Sequence, residues 1–217
     1  IFFWVARMIM FGMEFQNKEP FKNIYVHALV RDEKGQKMSK SKGNVIDPLE
    51  LIEKYSADAL RFTLLSMASP GRDVKLSEDR VKGYRNFLNK IWNANNFLIQ
   101  NDCKFENIET PNDLKLNINK WIFVEFTSTN EKIKKSIDSY RFDEAARIAY
   151  QFVWHSFCDW YLELSKTVFY SENNENIEET RNVASFIFTQ ILVILHPFIP
   201  FLTEEIWLKN KLDKDGK

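Results

Sequence analysis

One short stretch, residues 34–44, concentrates side chains that could bind an anion. It contains four lysines, two serines and two glycines, namely Lys34, Gly35, Lys37, Ser39, Lys40, Ser41, Lys42 and Gly43. Lysine is a compact charge on a flexible stem, and small residues let backbone N–H groups face a phosphate. The chemistry that fits best is polyphosphate binding, with contacts that strengthen as charge develops in a transition state. Composition alone leaves open a solvated basic loop without a ligand.

The elements that must position this stretch are a strand before it and a helix after it. Residues Asn23 to Val30 are rich in β-branched and aromatic side chains, which predicts a buried parallel strand. Asp47 and Pro48 form an N-cap and first helical position, which predicts a helix through Tyr55. Ligands bind at the carboxyl ends of strands in open α/β sheets, so the placement favours a nucleotide site.

The rest of the chain is mainly α in pattern. An apolar helix over Ile1 to Phe15 suits burial in a larger α/β domain, and Ser77 is expected to begin a capping box. The predicted helices after Tyr55 are Ser56 or Ala57 to Ala68, Ser77 to Asn101, Leu116 to Tyr140, Phe142 to Tyr170, Ile177 to His196 and one starting at Thr203 to Leu208. We therefore predict the end of a Rossmann-type α/β domain, with one or two short parallel strands, followed by an antiparallel helical bundle.

Bulk composition limits the function classes. The chain has 217 residues, 45% of them hydrophobic, and its 30 basic residues balance 30 acidic ones. Any nucleic-acid contact must therefore come from a local patch rather than from net charge. The two cysteines, Cys103 and Cys158, lack neighbours at metal-ligand spacing, which argues against a zinc site or a disulfide framework. The apolar runs are too short or too charged to span a membrane. We expect a cytoplasmic monomer.

The order of residues in the lysine stretch is specific. Lys37, Met38, Ser39, Lys40 and Ser41, followed by Gly43 and Asn44, resemble the Lys-Met-Ser-Lys-Ser signature of the class I aminoacyl-tRNA synthetases. Further stretches resemble the bacterial-type valyl-tRNA synthetase family: Ile1 to Met8, Tyr25 to Asp32, Ala57 to Phe62, Ala68 to Asp73, Lys75 to Ala94, Cys158 to Glu163 and His196 to Trp207. The sequence is identified as a C-terminal fragment of such a protein.

The resemblance implies valine–tRNA ligase activity: valine and ATP form valyl-adenylate, and the valyl group passes to the tRNA for valine. By the resemblance Lys37 and Lys40 are catalytic and hold the β- and γ-phosphates. Ser39 donates a hydroxyl, and Gly43 and Asn44 shape the loop. Mg²⁺ is expected with ATP, held mainly by phosphates, and no zinc is expected.

Two aromatic residues near the start carry weaker assignments. The resemblance places Trp4 in the wall of the valine pocket, with core packing as the alternative. His27 is either a packed side chain or lies near the adenosine of ATP. The family's other ATP signature, of the His-Ile-Gly-His type, has no match here, nor does the editing insertion. We therefore expect the chain alone to be inactive.

The helix from Ser77 presents a second candidate site. One face carries Asn86, Lys90, Asn93 and Phe97, amide, ammonium and aromatic groups of the kind that read single-stranded RNA. The resemblance places Lys90 and Phe97 near the anticodon, and Arg80 belongs to a basic region suited to tRNA phosphates. Packing of Phe97 on the next helix is the alternative. Trp154, His155, Cys158, Trp160 and Tyr161 are interpreted as bundle core, not as a nucleophilic site.

These assignments predict three segments. Residues 1–54 end the catalytic domain, 55–79 contact the tRNA stem, and 80–217 form a truncated anticodon-binding bundle. The alternatives are a fragment of isoleucyl-tRNA synthetase and a non-catalytic tRNA-binding helical module.

Overall fold

The computed structural model of the chain describes residues 2–106 and 108–212. The predicted start of the first helix at Ile1, residue 107 and the end of the predicted bundle at 213–217 lie outside the described residues. The described part is mainly helical, with one two-stranded sheet. The elements in chain order are α1 (Val5–Gln16), β1 (Val30–Arg31), a 3₁₀ turn (Lys40–Lys42), α2 (Pro48–Tyr55), α3 (Ala57–Met67), β2 (Val74–Lys75), α4 (Glu78–Gln100), α5 (Asn117–Asp138), α6 (Phe142–Gln151), a π-helical segment (Phe152–Tyr161), α7 (Leu162–Phe169), α8 (Asn174–Leu195) and α9 (Pro200–Lys209).

The two strands are parallel, as predicted, but the first is much shorter than expected. Val30 pairs with Val74 and Arg31 with Lys75, whereas residues 23–29 are not in a strand. The prediction of a strand over Asn23 to Val30 is therefore wrong for all but its last residue. β-propensity produces a strand only where a neighbour completes the hydrogen bonds, and among the described residues β2 supplies that neighbour only at Val30 and Arg31.

The helix termini confirm one capping prediction and correct another. Asp47 Oδ1 accepts a hydrogen bond from Leu49 N at 2.8 Å, with Pro48 in the first turn of α2, as predicted. Ser77 is the N-cap residue of α4 by position, but its side chain makes no capping bond. Glu78 instead accepts from the Tyr55 hydroxyl at 2.7 Å and pairs with Lys54. The start of α4 is therefore tied to the end of α2 rather than capped locally.

The helix predicted over Phe142 to Tyr170 is not α-helical throughout. Residues 152–161 form a π-helix between α6 and α7. Phe152 and Phe157, and likewise Val153 and Cys158, are buried pairs five residues apart, and i to i+5 is the hydrogen-bonding period of a π-helix. The widened turn therefore puts both pairs on the buried face.

The core lies where α3, α4, α6, α8 and the residues before α9 meet. Phe62 is fully buried, with ring centroids 4.9 Å from Tyr84, 5.2 Å from Phe87 and 6.0 Å from Phe198. Each buried aromatic side chain of this kind contributes about 1.5–3 kcal/mol. By contrast, the burial predicted for α1 is not found among the described residues, where Phe11 and Phe15 are exposed. The bundle, not α1, is the packed core of this chain.

One buried carboxylate, that of Asp58, joins α3 to α9. Asp58 on α3 is 3% exposed and accepts hydrogen bonds from Phe201 N at 3.3 Å and Leu202 N at 2.6 Å. Those N–H groups belong to the first turn of α9, which has no side-chain cap of its own. Burial raises the pKa of Asp58, and hydrogen bonds from the two N–H groups oppose this shift only in part.

We expect Asp58→Ala to lower the free energy of unfolding by about 1–3 kcal/mol, because two partly buried N–H groups at the start of α9 lose their acceptor. Thermal unfolding followed by circular dichroism measures this loss. The folded-state pKa of Asp58 lies above its ordinary value, so this group's contribution should fall as the pH rises through that pKa. The variant should lack that pH dependence. Glu205→Ala, which removes an exposed carboxylate of α9, is the control, and an equal loss in both variants would contradict the prediction.

Candidate functional site

The lysine stretch forms a loop that leaves β1 and returns to it. Asp32 N donates to Gln36 O at 3.1 Å, and Gly35 N donates to Asp32 O at 2.9 Å. Lys37 then bridges back to Arg31 in the antiparallel sense. Gly35 has a φ of +78°, and a Cβ atom there would lie 3.0 Å from Lys75 Cε. Only glycine fits this turn without strain.

The side chains of Asn44 and Asp32 hold the loop closed. Asn44 Oδ1 accepts from Ser39 N at 3.0 Å, and Asn44 Nδ2 donates to Asp32 Oδ2 at 2.8 Å. The other Asp32 oxygen accepts from Gln36 N at 2.7 Å. The pKa of Asp32 is lowered, first by the hydrogen bond from Asn44 and then by that from Gln36. The sequence predicted that Asn44 shapes the loop but missed its partner Asp32, because a bond between side chains twelve residues apart leaves no periodic signal.

The signature lysines point to solvent on this anchored loop. Lys37 and Lys40 are exposed, and Lys40 begins the 3₁₀ turn that ends at Gly43 with a φ of +64°. Within the described ranges, neither ammonium lies within ion-pair distance of a carboxylate. Ser39 Oγ lies 3.3 Å from Ser41 Oγ. The loop thus presents uncompensated positive charge and hydroxyl groups together, an arrangement suited to a polyphosphate.

An ion pair fixes the base of the loop to the neighbouring strand. Arg31 Nε pairs with Asp73, whose other oxygen accepts from Leu29 N at 3.4 Å. The Arg31 guanidinium also approaches Gly35 O at 3.5 Å. The Arg31 hydrogen bond lowers the pKa of Asp73. Parallel pairing with β2 also brings Lys75 beside Gly35, a fifth ammonium near the loop that the sequence pattern did not associate with it.

Two predicted site residues lie apart from these contacts. Trp4 is 73% exposed in the turn before α1. His27 is exposed and its Nδ1 lies 2.9 Å from Ala28 O. Neither joins a side-chain cluster in the described structure. The assignments of Trp4 to valine and of His27 to ATP stay predictions.

The second candidate site is a pocket of about 360 Å³ between α4, the π-helical segment and α7. It brings together three predicted residues, Lys90, Asn93 and Phe97. Phe97 is half-buried, packs on Phe169 at a centroid distance of 6.2 Å, and lies 5.6 Å from Lys166 Nζ. The Phe97 ring therefore packs on α7 and also lines the pocket, and its placement near the anticodon stays a prediction.

The pocket carries carboxylates that sequence reasoning missed. Lys90 pairs with Asp159 and lies 4.8 Å from the Trp154 ring centroid. Burial alone would raise the pKa of Asp159, but Lys90 and His155 outweigh it and the pKa is lowered. Glu163 accepts from Lys166 Nζ at 2.7 Å. Carboxylate oxygens and amides together can hydrogen-bond the exocyclic amines of a nucleobase.

The remaining residues of the α4 stripe lie outside this pocket. Asn86 and Arg80 are exposed on α4 toward its start, and neither lines the pocket. Trp160, interpreted as bundle core, is 63% exposed, so that part of the interpretation is wrong. His155 is also exposed, and its Nδ1 lies 3.2 Å from Asp159 rather than on Cys158. Burial raises the pKa of Cys158 to about 12, which keeps the thiol protonated and unreactive.

Within 2–106 and 108–212, no three His, Cys, Asp or Glu side chains cluster in a way that could hold a metal ion. None of the helices there combines the length and apolar character needed to cross a bilayer.

Comparison with known proteins decides the family. A family model described as tRNA synthetases class I (I, L, M and V) matches residues 1–77, and the anticodon-binding domain of tRNA ligase matches residues 119–217. The valine–tRNA ligase of Pelagibacter ubique is 72% identical over 217 residues, all of this chain and 25% of the relative. The chain belongs to the valine–tRNA ligase family. A second member, from Mesorhizobium japonicum, is 55% identical over 97% of the chain and 23% of its own length.

Solved structures support the fold of this valine–tRNA ligase segment. It covers 25% of a leucyl-tRNA synthetase chain from Agrobacterium radiobacter, solved in complex with tRNA and LeuAMS, with a TM-score of 0.73 and 20% identity over 96% of the segment. A Mycobacterium tuberculosis methionyl-tRNA synthetase matches 84% of the segment, with a TM-score of 0.67 and 18% identity. The segment spans about a quarter of the length of the curated valine–tRNA ligases that it matches. The isoleucyl alternative is not favoured.

Proposed function

We propose that the chain supplies the ATP-binding loop and the anticodon-reading bundle of a valine–tRNA ligase. The observation that carries the proposal is the exposed pair Lys37 and Lys40 on a loop closed by Asn44 and Asp32. In the proposed reaction, the carboxylate of valine attacks the α-phosphate of ATP, the bond between the α- and β-phosphates breaks, and pyrophosphate leaves as valyl-adenylate forms. The two ammonium groups hold the β- and γ-phosphates and offset the charge that develops there. Ser39 donates its hydroxyl, and Mg²⁺ enters with ATP on phosphate oxygens.

Among the described residues neither signature lysine forms an ion pair, which supports this assignment. An ammonium already paired with a carboxylate would have to give up that partner before binding a phosphate. Within the same residues Lys90 in the helix pocket has such a partner, whereas Lys37 and Lys40 do not. The segments proposed are the end of the catalytic domain at 1–54, a stem-contact segment at 55–79 and the anticodon-binding bundle from 80. A monomeric state and a cytoplasmic location stay predictions from the sequence.

The decisive experiment is pyrophosphate exchange by the ligase that contains this chain. Valine should support exchange of labelled pyrophosphate into ATP, whereas leucine should not, and isoleucine should support it far less well. Absence of valine-dependent exchange would overturn the catalytic part of the proposal. If the protein then still bound tRNA, the non-catalytic tRNA-binding module would be the better description.

Anticodon reading is assigned to the helix pocket. We expect Phe97→Ala to reduce discrimination between valine tRNA and an anticodon-altered tRNA by about tenfold, because base stacking on an aromatic ring is worth about 1–3 kcal/mol. Binding of each tRNA at one fixed salt concentration measures the effect. Phe201→Ala, which removes a phenylalanine 66% exposed on α9, is the matched control. Undiminished discrimination in Phe97→Ala would remove Phe97 from the reading surface.

A further inference from the structure

The turn between α5 and α6 has a geometry that its sequence does not favour. Tyr140 has a φ of +57°, a conformation that a bulky side chain rarely adopts. Tyr140 N donates to Ile137 O at 2.9 Å, and Arg141 N donates to Ser136 O at 2.7 Å. These bonds hold the turn at the end of α5, and they leave the Tyr140 ring 41% exposed at the tip of the bundle.

The Tyr140 ring contacts the segment that leads into the lysine loop. Tyr25 stacks on Tyr140 with a centroid distance of 5.9 Å and an interplanar angle of 24°. It also meets Phe142 edge-on at 5.4 Å, and Tyr140 meets Phe142 at 6.3 Å. Three rings therefore join residues 23–29, which have no strand structure of their own, to the bundle.

A second contact joins the same turn to the segment between α3 and β2. Ser69 Oγ donates to Asp143 Oδ2 at 2.7 Å, and Arg141 Nε holds the other oxygen of Asp143 at 3.2 Å. Ser69 lies four residues before Asp73, the partner of Arg31. The ring contacts therefore reach Tyr25, four residues before Leu29, and the Ser69 bond reaches the segment that leads to Asp73, which binds Leu29 and Arg31.

We propose that the α5–α6 turn, residues 139–143, positions the lysine loop from the bundle side, with Tyr140 and Asp143 as positioning residues for ATP binding. This rests on the proposed function of the loop. The lysine loop has few buried contacts of its own, because Lys37, Lys40 and Gly43 are all exposed. Its orientation therefore depends on where Leu29, Arg31 and Asp32 are held. The three rings hold the segment at residues 23–29 that enters β1. The Ser69–Asp143 bond holds the segment that leads into β2.

Hydrogen exchange of the loop amides tests positioning without requiring activity. The variants are made in the ligase that contains this chain, and exchange is followed at peptides covering residues 32–44. Tyr140→Gly removes the ring and relieves the left-handed backbone, whereas Tyr140→Phe keeps the ring. Loss of an aromatic pair should speed exchange by about two- to tenfold in Tyr140→Gly and leave Tyr140→Phe like the wild type. Tyr170→Gly, at a tyrosine 75% exposed after α7, is the matched control.

A variant outside the bundle tests whether faster loop exchange comes from the broken ring stack or from a general loss of packing in the bundle. Tyr25→Ala breaks the same stack from the loop side, so it should speed loop exchange to a similar extent while α8 stays protected. Wild-type exchange rates in both Tyr25→Ala and Tyr140→Gly would overturn the proposal.

Kinetics separate this proposal from the function on which it rests. In pyrophosphate exchange, Tyr140→Gly should raise the KM for ATP by about two- to tenfold with kcat little changed, and Tyr140→Phe should restore it. An unchanged KM despite faster loop exchange would overturn the role in ATP binding. Absence of exchange activity in the wild type would instead overturn the proposed function, and the hydrogen-exchange result would still decide whether the turn positions the loop.

Discussion

Replacement of Lys40 by alanine is expected to slow valyl-adenylate formation by about 10²–10³-fold, since removal of one preorganised donor to a transition state costs roughly 3 kcal/mol. Lys40 is exposed at the start of the 3₁₀ turn and has no carboxylate partner among the described residues. Its loss should therefore leave the fold intact. Valine-dependent pyrophosphate exchange by the ligase measures the rate, and binding of valine tRNA should change little.

Lys34→Ala is the matched control for this experiment. Lys34 lies in the same loop and is also exposed, but it stands ahead of the signature in the turn from Asp32 to Gln36. If nearby positive charge alone mattered, both variants would lose a similar small amount of activity. Unaltered pyrophosphate exchange in Lys40→Ala would refute the phosphate role.

The second large effect is expected from Asn44→Ala. This change removes the acceptor for Ser39 N and the donor to Asp32, so the 3₁₀ turn loses its attachment to the loop base. A misplacement of about 1 Å in a reacting group can cost about 10²-fold in rate, and we expect a loss approaching that size in kcat/KM for ATP. Pyrophosphate exchange at varied ATP concentration measures it.

Melting temperature distinguishes loop disorder from global unfolding in this variant. Among the described residues the Asn44 side chain hydrogen-bonds only to residues 32–39, so thermal unfolding of the bundle should be unchanged. Asn112→Ala, at an exposed amide in the connection before α5, is the control. Wild-type kinetics in Asn44→Ala would show that the loop does not depend on this clamp.

The sequence indicated which residues form the loop, but it did not indicate the contacts that hold the loop in place. An ordered signature of five residues was enough to single out Lys37 and Lys40, because side-chain order is what the resemblance compares, and their phosphate role stays a prediction. Asp32, Asp73 and Lys75 act through contacts to residues that are distant in sequence or on another strand. Such contacts depend on tertiary geometry, which hydrophobic periodicity does not encode.

Helices were predicted more accurately than strands for a related reason. The start of α2 at Pro48 follows from local capping chemistry, and the extent of α4, predicted as Ser77 to Asn101, follows from the three- and four-residue spacing of its apolar side chains. The strand at 23–30 failed because a strand depends on a partner. The π-helical segment also escaped prediction, since apolar pairs five residues apart are easily read as an ordinary α-helical stripe over so short a stretch.

The buried Asp58 has a consequence for the order in which this chain is made. Among the described residues its carboxylate accepts hydrogen bonds from N–H groups 143 and 144 residues later in the chain. At a synthesis rate of about 5–20 residues per second, α9 leaves the ribosome roughly 7–29 s after α3. Until then the carboxylate of α3 stays solvated and the core around Phe62 stays open toward Phe198. The contact between α3 and α9 therefore forms late in synthesis.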